Sequence, residues 1–435
     1  MKRSNRLNIG HKIRAMIAVV VVIGLVWLTG PHLSPKQVSA SSLEVQSHIP
    51  NNYLFRNPGG KAATFSTQGS IDLTGEYFQA QGTNGRSCAS CHIPEEAWSI
   101  NPGTLQHLFD ESDGTHPVFH RLDANNPLTA NLDTVDGRLA AFSMLLSRGV
   151  FRRGGTPRAN SEWELIGAED PHGFASLTQL VHWRRAMPTI NFALGSATIN
   201  WDGGNSVGID QHAGLTNQAT RNVTGGQQGP PAPPEVIADI VAFEESLFTA
   251  QLIVPGVGRL DSDGAGGGPE ALSAMSKVAG RFDLFDAWAN HENPKRAQIA
   301  RGQELFNNTN VGGRRCTGCH NSANNGTNIN NLLFDIRTAS AEARTPDLPL
   351  YTFRNKTTGE TRQLTDAGRG QVTGLWNDLG RFKTPTIRAL SARAPYFHNG
   401  IAATLDEVVR HYERHLGFVF TDQERADLVA FLNAL

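Results

Sequence analysis

The four cysteines of this chain fall into two five-residue runs, Cys88-Ala-Ser-Cys91-His92 and Cys316-Thr-Gly-Cys319-His320. Each run places two thiols three positions apart with a histidine directly behind them. That is the pattern of a c-type haem attachment site: the thiols add to the two vinyl groups of one porphyrin, and the histidine lies beneath the iron as proximal ligand. A lone Cys-x-x-Cys could equally be a redox dithiol or half a zinc site, and four cysteines in an exported chain could form two disulfides. Histidine follows both pairs here and no cysteine is left over, so two covalently bound haems are the expectation.

Residues 1–40 read as a signal peptide. Lys2, Arg3, Arg6, Lys12 and Arg14 form a positive leader, an apolar run extends from Ala15 to Leu28, and Val38-Ser39-Ala40 offers a cleavage site. An uncleaved anchor is the alternative, although the apolar run is shorter than the roughly 20 residues a spanning helix needs. Cleavage near Ala40 places the protein in the periplasm or otherwise outside the cytoplasm. A formal charge of −1 and a pI near 7 give no basic surface for nucleic acid.

The surroundings of the two runs repeat. Gln298–Phe306 has helical spacing ahead of the second run, and Leu73-Thr-Gly-Glu-Tyr-Phe78, with its Gly-x-x-Phe, places a glycine and a phenylalanine at a similar distance ahead of the first. Each run is followed much later by a helix containing Ala-Asp-(Ile/Leu)-Val-Ala-Phe, at 234–247 and 421–435. These features predict a mainly α fold: two cytochrome c-like helical domains, one haem each, with long loop insertions and little β. The expected organisation is a first domain over 41–255 with an insertion at 93–187, a Gly-rich linker at 256–270, and a second domain over 271–435. A helix is expected over Asp136–Arg148, and a hairpin joining Tyr351-Thr-Phe to Thr361-Arg-Gln-Leu.

Phe382-Lys-Thr-Pro-Thr-Ile-Arg-Ala-Leu-Ser-Ala-Arg-Ala-Pro-Tyr-Phe-His-Asn-Gly400 and Thr404–Tyr412 resemble the bacterial di-haem cytochrome c peroxidase/MauG family. So do Met187–Asn191 and Asn200-Trp-Asp-Gly203. The resemblance implies that His92 serves the peroxide-reacting haem and His320 the electron-accepting haem. It also implies that Trp201 relays electrons between them and that His398 lies near the second haem. Tyr412 stands where classical members carry a methionine ligand and the MauG branch a tyrosine, so it is a candidate iron ligand; no methionine follows Met275.

Where the family places a glutamate that assists peroxide cleavage, this chain has Arg221. At two positions that help hold the family's inter-domain calcium it has Ala186 and Arg393, and a cationic Arg393 opposes a dication while being able to replace its charge. His172, His182, His107, His116 and His120 are rival distal ligands for the first haem, which could also be open. The implied partners are hydrogen peroxide or another small oxidant and a small redox donor, a c-type cytochrome or cupredoxin, with a homodimer as in many relatives. MauG-like oxidation or oxygenation of an organic or protein substrate, and electron transfer without catalysis, stand as alternatives.

Overall fold

The computed structural model describes residues 47–208 and 210–435, and the signal peptide expected over 1–40 lies outside them. Around the second attachment run the core is helical. Pro294–Asn308 crosses Asp422–Asn433, and the crossing is close because residue 302 is glycine: a Cβ there would lie 2.0 Å from the Asp427 carbonyl oxygen. Phe282, Phe285, Trp288, Phe306 and Phe431 fill the space beneath, each at most 5% exposed. Leu405–Leu416 and Asp422–Asn433 both start with reciprocal capping boxes, Thr404 with Glu407 and Thr421 with Glu424.

Around the first run, Pro234–Ser246 packs with Gln211–Arg221 and buries Ile237, Ile240, Val241 and Phe243 against Tyr77 and Trp98. The Gly-x-x-Phe segment ahead of this run makes only one 3₁₀ turn, Glu76–Phe78. Asp136–Arg148 is split at Phe142 (φ −109°, ψ 18°) into Val135–Ala141 and Ser143–Arg148.

The expectation of a mainly α fold with little β is overturned. Helix accounts for 34% of residues and strand for 19%, and the described strands form six sheets. Leu54–Asn57, Gly60–Ser66, Leu247–Val254 and Gly258–Arg259 make a four-stranded antiparallel sheet. Trp163–Glu169 from the 93–187 segment pairs with Leu350–Asn355, which forms the expected hairpin with Thr361–Leu364, Tyr351 opposite Leu364. Val150–Gly155 pairs with Leu180–Arg185.

The physical reason is burial on both faces. All six residues of Leu180–Arg185 are buried, including one histidine and two arginines, so the alternation of apolar and polar residues that marks a half-exposed strand is missing. Tyr351, its hydroxyl donating to the Val181 carbonyl at 3.1 Å, ties the hairpin to this strand.

Candidate functional site

Both attachment runs adopt one geometry. Cys88–Ser90 is a 3₁₀ turn and Cys316–Cys319 a single helical turn, and in each the histidine N–H bonds back to the first cysteine carbonyl, at 3.2 and 2.9 Å. His92 Nδ1 donates to the Trp98 carbonyl at 3.1 Å, and His320 Nδ1 to the Gly326 carbonyl at 2.5 Å; both carbonyls are six residues on. That bond fixes the tautomer and leaves Nε2 with its lone pair free for iron. Burial lowers both imidazole pKa values, that of His320 to about 4, which keeps the rings neutral as ligands must be. No cysteine is in a disulfide, and burial pushes the Cys91 and Cys319 thiols up to about 11. Among the described residues no group of three or more His, Cys, Asp or Glu side chains is placed to hold a bare metal ion.

A cavity of about 500 Å³ opens beside the second run. Cys316, Cys319 and His320 line it, as do Trp201, His398 and Tyr412, so three residues singled out from widely separated positions meet in one space. Its apolar wall includes Phe306, Ile387, Leu405 and Val409. Arg185, Lys383 and Arg393 also line it; burial brings Lys383 down to about 8 and both arginines to about 10. A flat apolar ligand with acidic substituents suits this wall, and a porphyrin with its carboxylates has that chemistry.

Trp201 is held by its indole N–H, which donates to the Arg185 carbonyl at 2.9 Å, and its ring lies edge-on to His398 at 6.3 Å. His398 stacks on Phe382 at 3.9 Å, and its pKa falls to about 3, burial outweighing nearby Asp366, so the ring is neutral. Tyr412 packs near Phe397 and Phe418, and among the described residues its hydroxyl has no hydrogen-bond partner. Burial raises its pKa.

Arg221 is not in this cavity wall. It ends Gln211–Arg221 and bonds Asn205 Oδ1 at 3.0 Å, bracing the turn after Trp201. Arg393 donates to the carbonyls of Thr386 at 3.0 Å and Arg388 at 2.6 Å, while the Ala186 carbonyl accepts from Ser99. Of the rival histidines, His116 and His120 accept from backbone N–H groups of their own turns and His107 is exposed beside Glu111. His182 is fully buried between Gln371 and Asp366, while His172 packs on Trp183 with Nε2 unpartnered.

Two features escaped the sequence reading. Arg184 grips Asp366 through two hydrogen bonds of 2.7 and 2.8 Å and also pairs with Asp202, next to Trp201; His398 Nε2 lies 3.7 Å from Asp366. Glu244, 2% exposed, has an unpartnered Oε2, and burial raises its pKa to about 8, so it is largely uncharged at neutral pH close to Cys88. Neither lies in a recognisable motif: pairing across 182 residues and burial of one helix position leave no local signal.

No family model matches the chain. Cytochrome-c peroxidase IdrP1 of Denitromonas iodatirespirans is 32% identical over 176 residues, 35% of this chain and 44% of the relative. Cytochrome c551 peroxidase of Nitrosomonas europaea is 44% identical over 70 residues, 16% of this chain and 21% of the relative. Methylamine utilization protein MauG of Methylorubrum extorquens is 28% identical over 272 residues, 58% and 64% of the two chains. The chain is thus similar to cytochrome-c peroxidases and to MauG proteins. It spans less than half the length of the first peroxidases it matches, 44% and 45%. The likeness supports c-type haem as its cofactor.

Proposed function

We propose that this chain is an exported oxidoreductase with two covalently bound haems, reducing hydrogen peroxide with electrons from a small donor protein, a c-type cytochrome or cupredoxin. Two one-electron donations and two protons convert each peroxide to two waters. Cys88, Cys91 and His92 hold the haem that meets peroxide; Cys316, Cys319 and His320 hold the one that receives electrons. Haem supplies the redox iron in each place. Trp201 bridges them as a relay, its indole orientation set by the Arg185 carbonyl.

The observation that carries this reading is the cavity that gathers His320, Trp201, His398 and Tyr412. Arg221, bonded to Asn205, braces the turn after Trp201. Calcium is not required, because the Arg393 guanidinium already engages the Thr386 and Arg388 carbonyls. The test is peroxide consumption by the haem-loaded protein with a reduced c-type cytochrome. Trp201→Phe lowers turnover at least roughly tenfold with both haems retained, since a relay residue contributes only through its own redox chemistry; undiminished turnover overturns the reading.

One observation favours a MauG-like branch, in which the oxidising equivalents go to an organic or protein substrate. The Tyr412 hydroxyl lacks a partner among the described residues and lines the cavity of His320, as an oxygen ligand to the second iron would. A phenolate ligand lowers an iron potential. Tyr412→Phe therefore raises the midpoint potential of one haem by on the order of 100 mV, within the wide range axial ligands set. An unchanged potential removes Tyr412 from the coordination sphere.

A further inference from the structure

Two segments with exposed tips contribute to the lining of the second run's cavity. One is the hairpin that pairs Asn310–Val311 with Arg314–Arg315. Its two-residue tip, Gly312-Gly313, has φ of 56° and 83°, and a Cβ at either position would touch nothing within 4 Å, so the tip stands clear of the protein. The other is the turn after Leu405–Leu416, where Gly417 is equally unobstructed. Arg314 Nη1 donates to the Leu416 carbonyl at 3.0 Å and joins the two sides into one rim.

The chain then alternates. Phe418 and Phe420 are buried in the cavity wall, while Val419 between them is 83% exposed. Arg314 and Arg315 are both exposed and line the same opening, and among the described residues neither makes an ion pair. The lining holds five cations, Arg185, Arg314, Arg315, Lys383 and Arg393, to one carboxylate, Asp335. The whole chain carries a formal charge of −1, so positive charge is concentrated here. The two carboxylates of a porphyrin would offset part of the buried set and leave the exposed arginine pair uncompensated.

We propose that this rim is the docking surface for the electron donor, and that the donor is a small redox protein with an acidic face around its exposed cofactor edge, seated on Val419. This rests on the reading of the second haem as the electron-accepting one. Opposite charge across such a rim speeds encounter and fixes orientation, and salt weakens both effects.

The test is rapid-mixing reduction of the haem-loaded chain, without peroxide, by two pre-reduced small cytochromes of opposite surface charge. At low salt the acidic donor is faster by roughly tenfold, an advantage that shrinks as salt shortens the screening length. Arg314→Glu with Arg315→Glu abolishes or reverses it, and Val419→Asp slows the acidic donor. Reduction by a small uncharged hydroquinone stays the same in both variants, which shows that fold and haem are intact. No charge preference, or one that survives charge reversal, overturns the proposal. Because peroxide is absent, failure of peroxide turnover is read separately.

Discussion

At Cys88–His92 the attachment turn packs on a closed aromatic cluster in which Tyr77, Trp98 and Phe243 have ring centroids 4.7 to 6.0 Å apart. At Cys316–His320 the equivalent turn borders a cavity of about 500 Å³ with buried cations in its wall. The bond from histidine Nδ1 to the carbonyl six residues on is common to both. A short stretch of local sequence therefore prescribes how each histidine is presented, while the rest of its surroundings come from distant segments. The second run draws Trp201, His398 and Tyr412 from three separate stretches of chain. The first has beside it an uncharged Glu244.

The largest test of this comparison removes the thiols. Cys88→Ser with Cys91→Ser, and Cys316→Ser with Cys319→Ser, should each reduce covalent haem per chain from two to one, read by the haemochrome spectrum after denaturation. If either variant kept two haems, the assignment of one haem to each run would be broken.

Next come the matching glycines. Gly302→Ala places a Cβ against the Asp427 backbone and should cost about 3 kcal/mol or more, as overpacking does where the neighbour cannot yield. Gly75→Ala meets only the Asp72 carbonyl at 3.8 Å and should cost under about 1 kcal/mol. Chemical denaturation measures both; equal losses would mean that the two glycine-bearing segments do the same structural job.

A smaller, pH-dependent effect belongs to the first site alone. Glu244 has a folded pKa of about 8 against an ordinary 4.5, with burial the cause. The unfolded chain releases this proton first, so the folded state loses stability as pH rises from about 4.5 and levels off near 8. At ~1.4 kcal/mol for each pH step of one across that interval, the loss amounts to a few kcal/mol. Glu244→Gln should flatten that slope in unfolding curves recorded from about pH 5 to about pH 8. A slope unchanged in the variant would assign it to other groups.

The helices Pro294–Asn308, Pro234–Ser246 and Asp422–Asn433 were legible because capping residues and apolar spacing lie within each segment. The hairpin at 350–364 was legible for the same reason: Tyr351-Thr-Phe alternates and Thr358-Gly359 turns. Leu180–Arg185 was not, because Arg184 is neutralised by Asp366 and Asp202 far along the chain, so a buried strand reads as a polar stretch. The repeat itself overstated the likeness, since Gly302 and Phe306 sit four apart in a 15-residue helix while Gly75 and Phe78 sit three apart at a three-residue turn. At the site, the cysteines and histidines were legible from spacing, and Trp201, His398 and Tyr412 only from resemblance. Asp366, Arg184 and Glu244 depend on tertiary burial and had no signal of their own.

In the proposed reaction one of two haems reacts with peroxide while the other exchanges electrons with a donor. The most direct measurement is rapid mixing of the haem-loaded protein with one equivalent of hydrogen peroxide while recording the haem spectrum, followed by reduced donor cytochrome. The account predicts a prompt spectral change that the donor reverses, with donor oxidised at two electrons per peroxide. An unaltered spectrum, with both irons low-spin and unable to bind cyanide or carbon monoxide, would contradict it and make the protein an electron carrier.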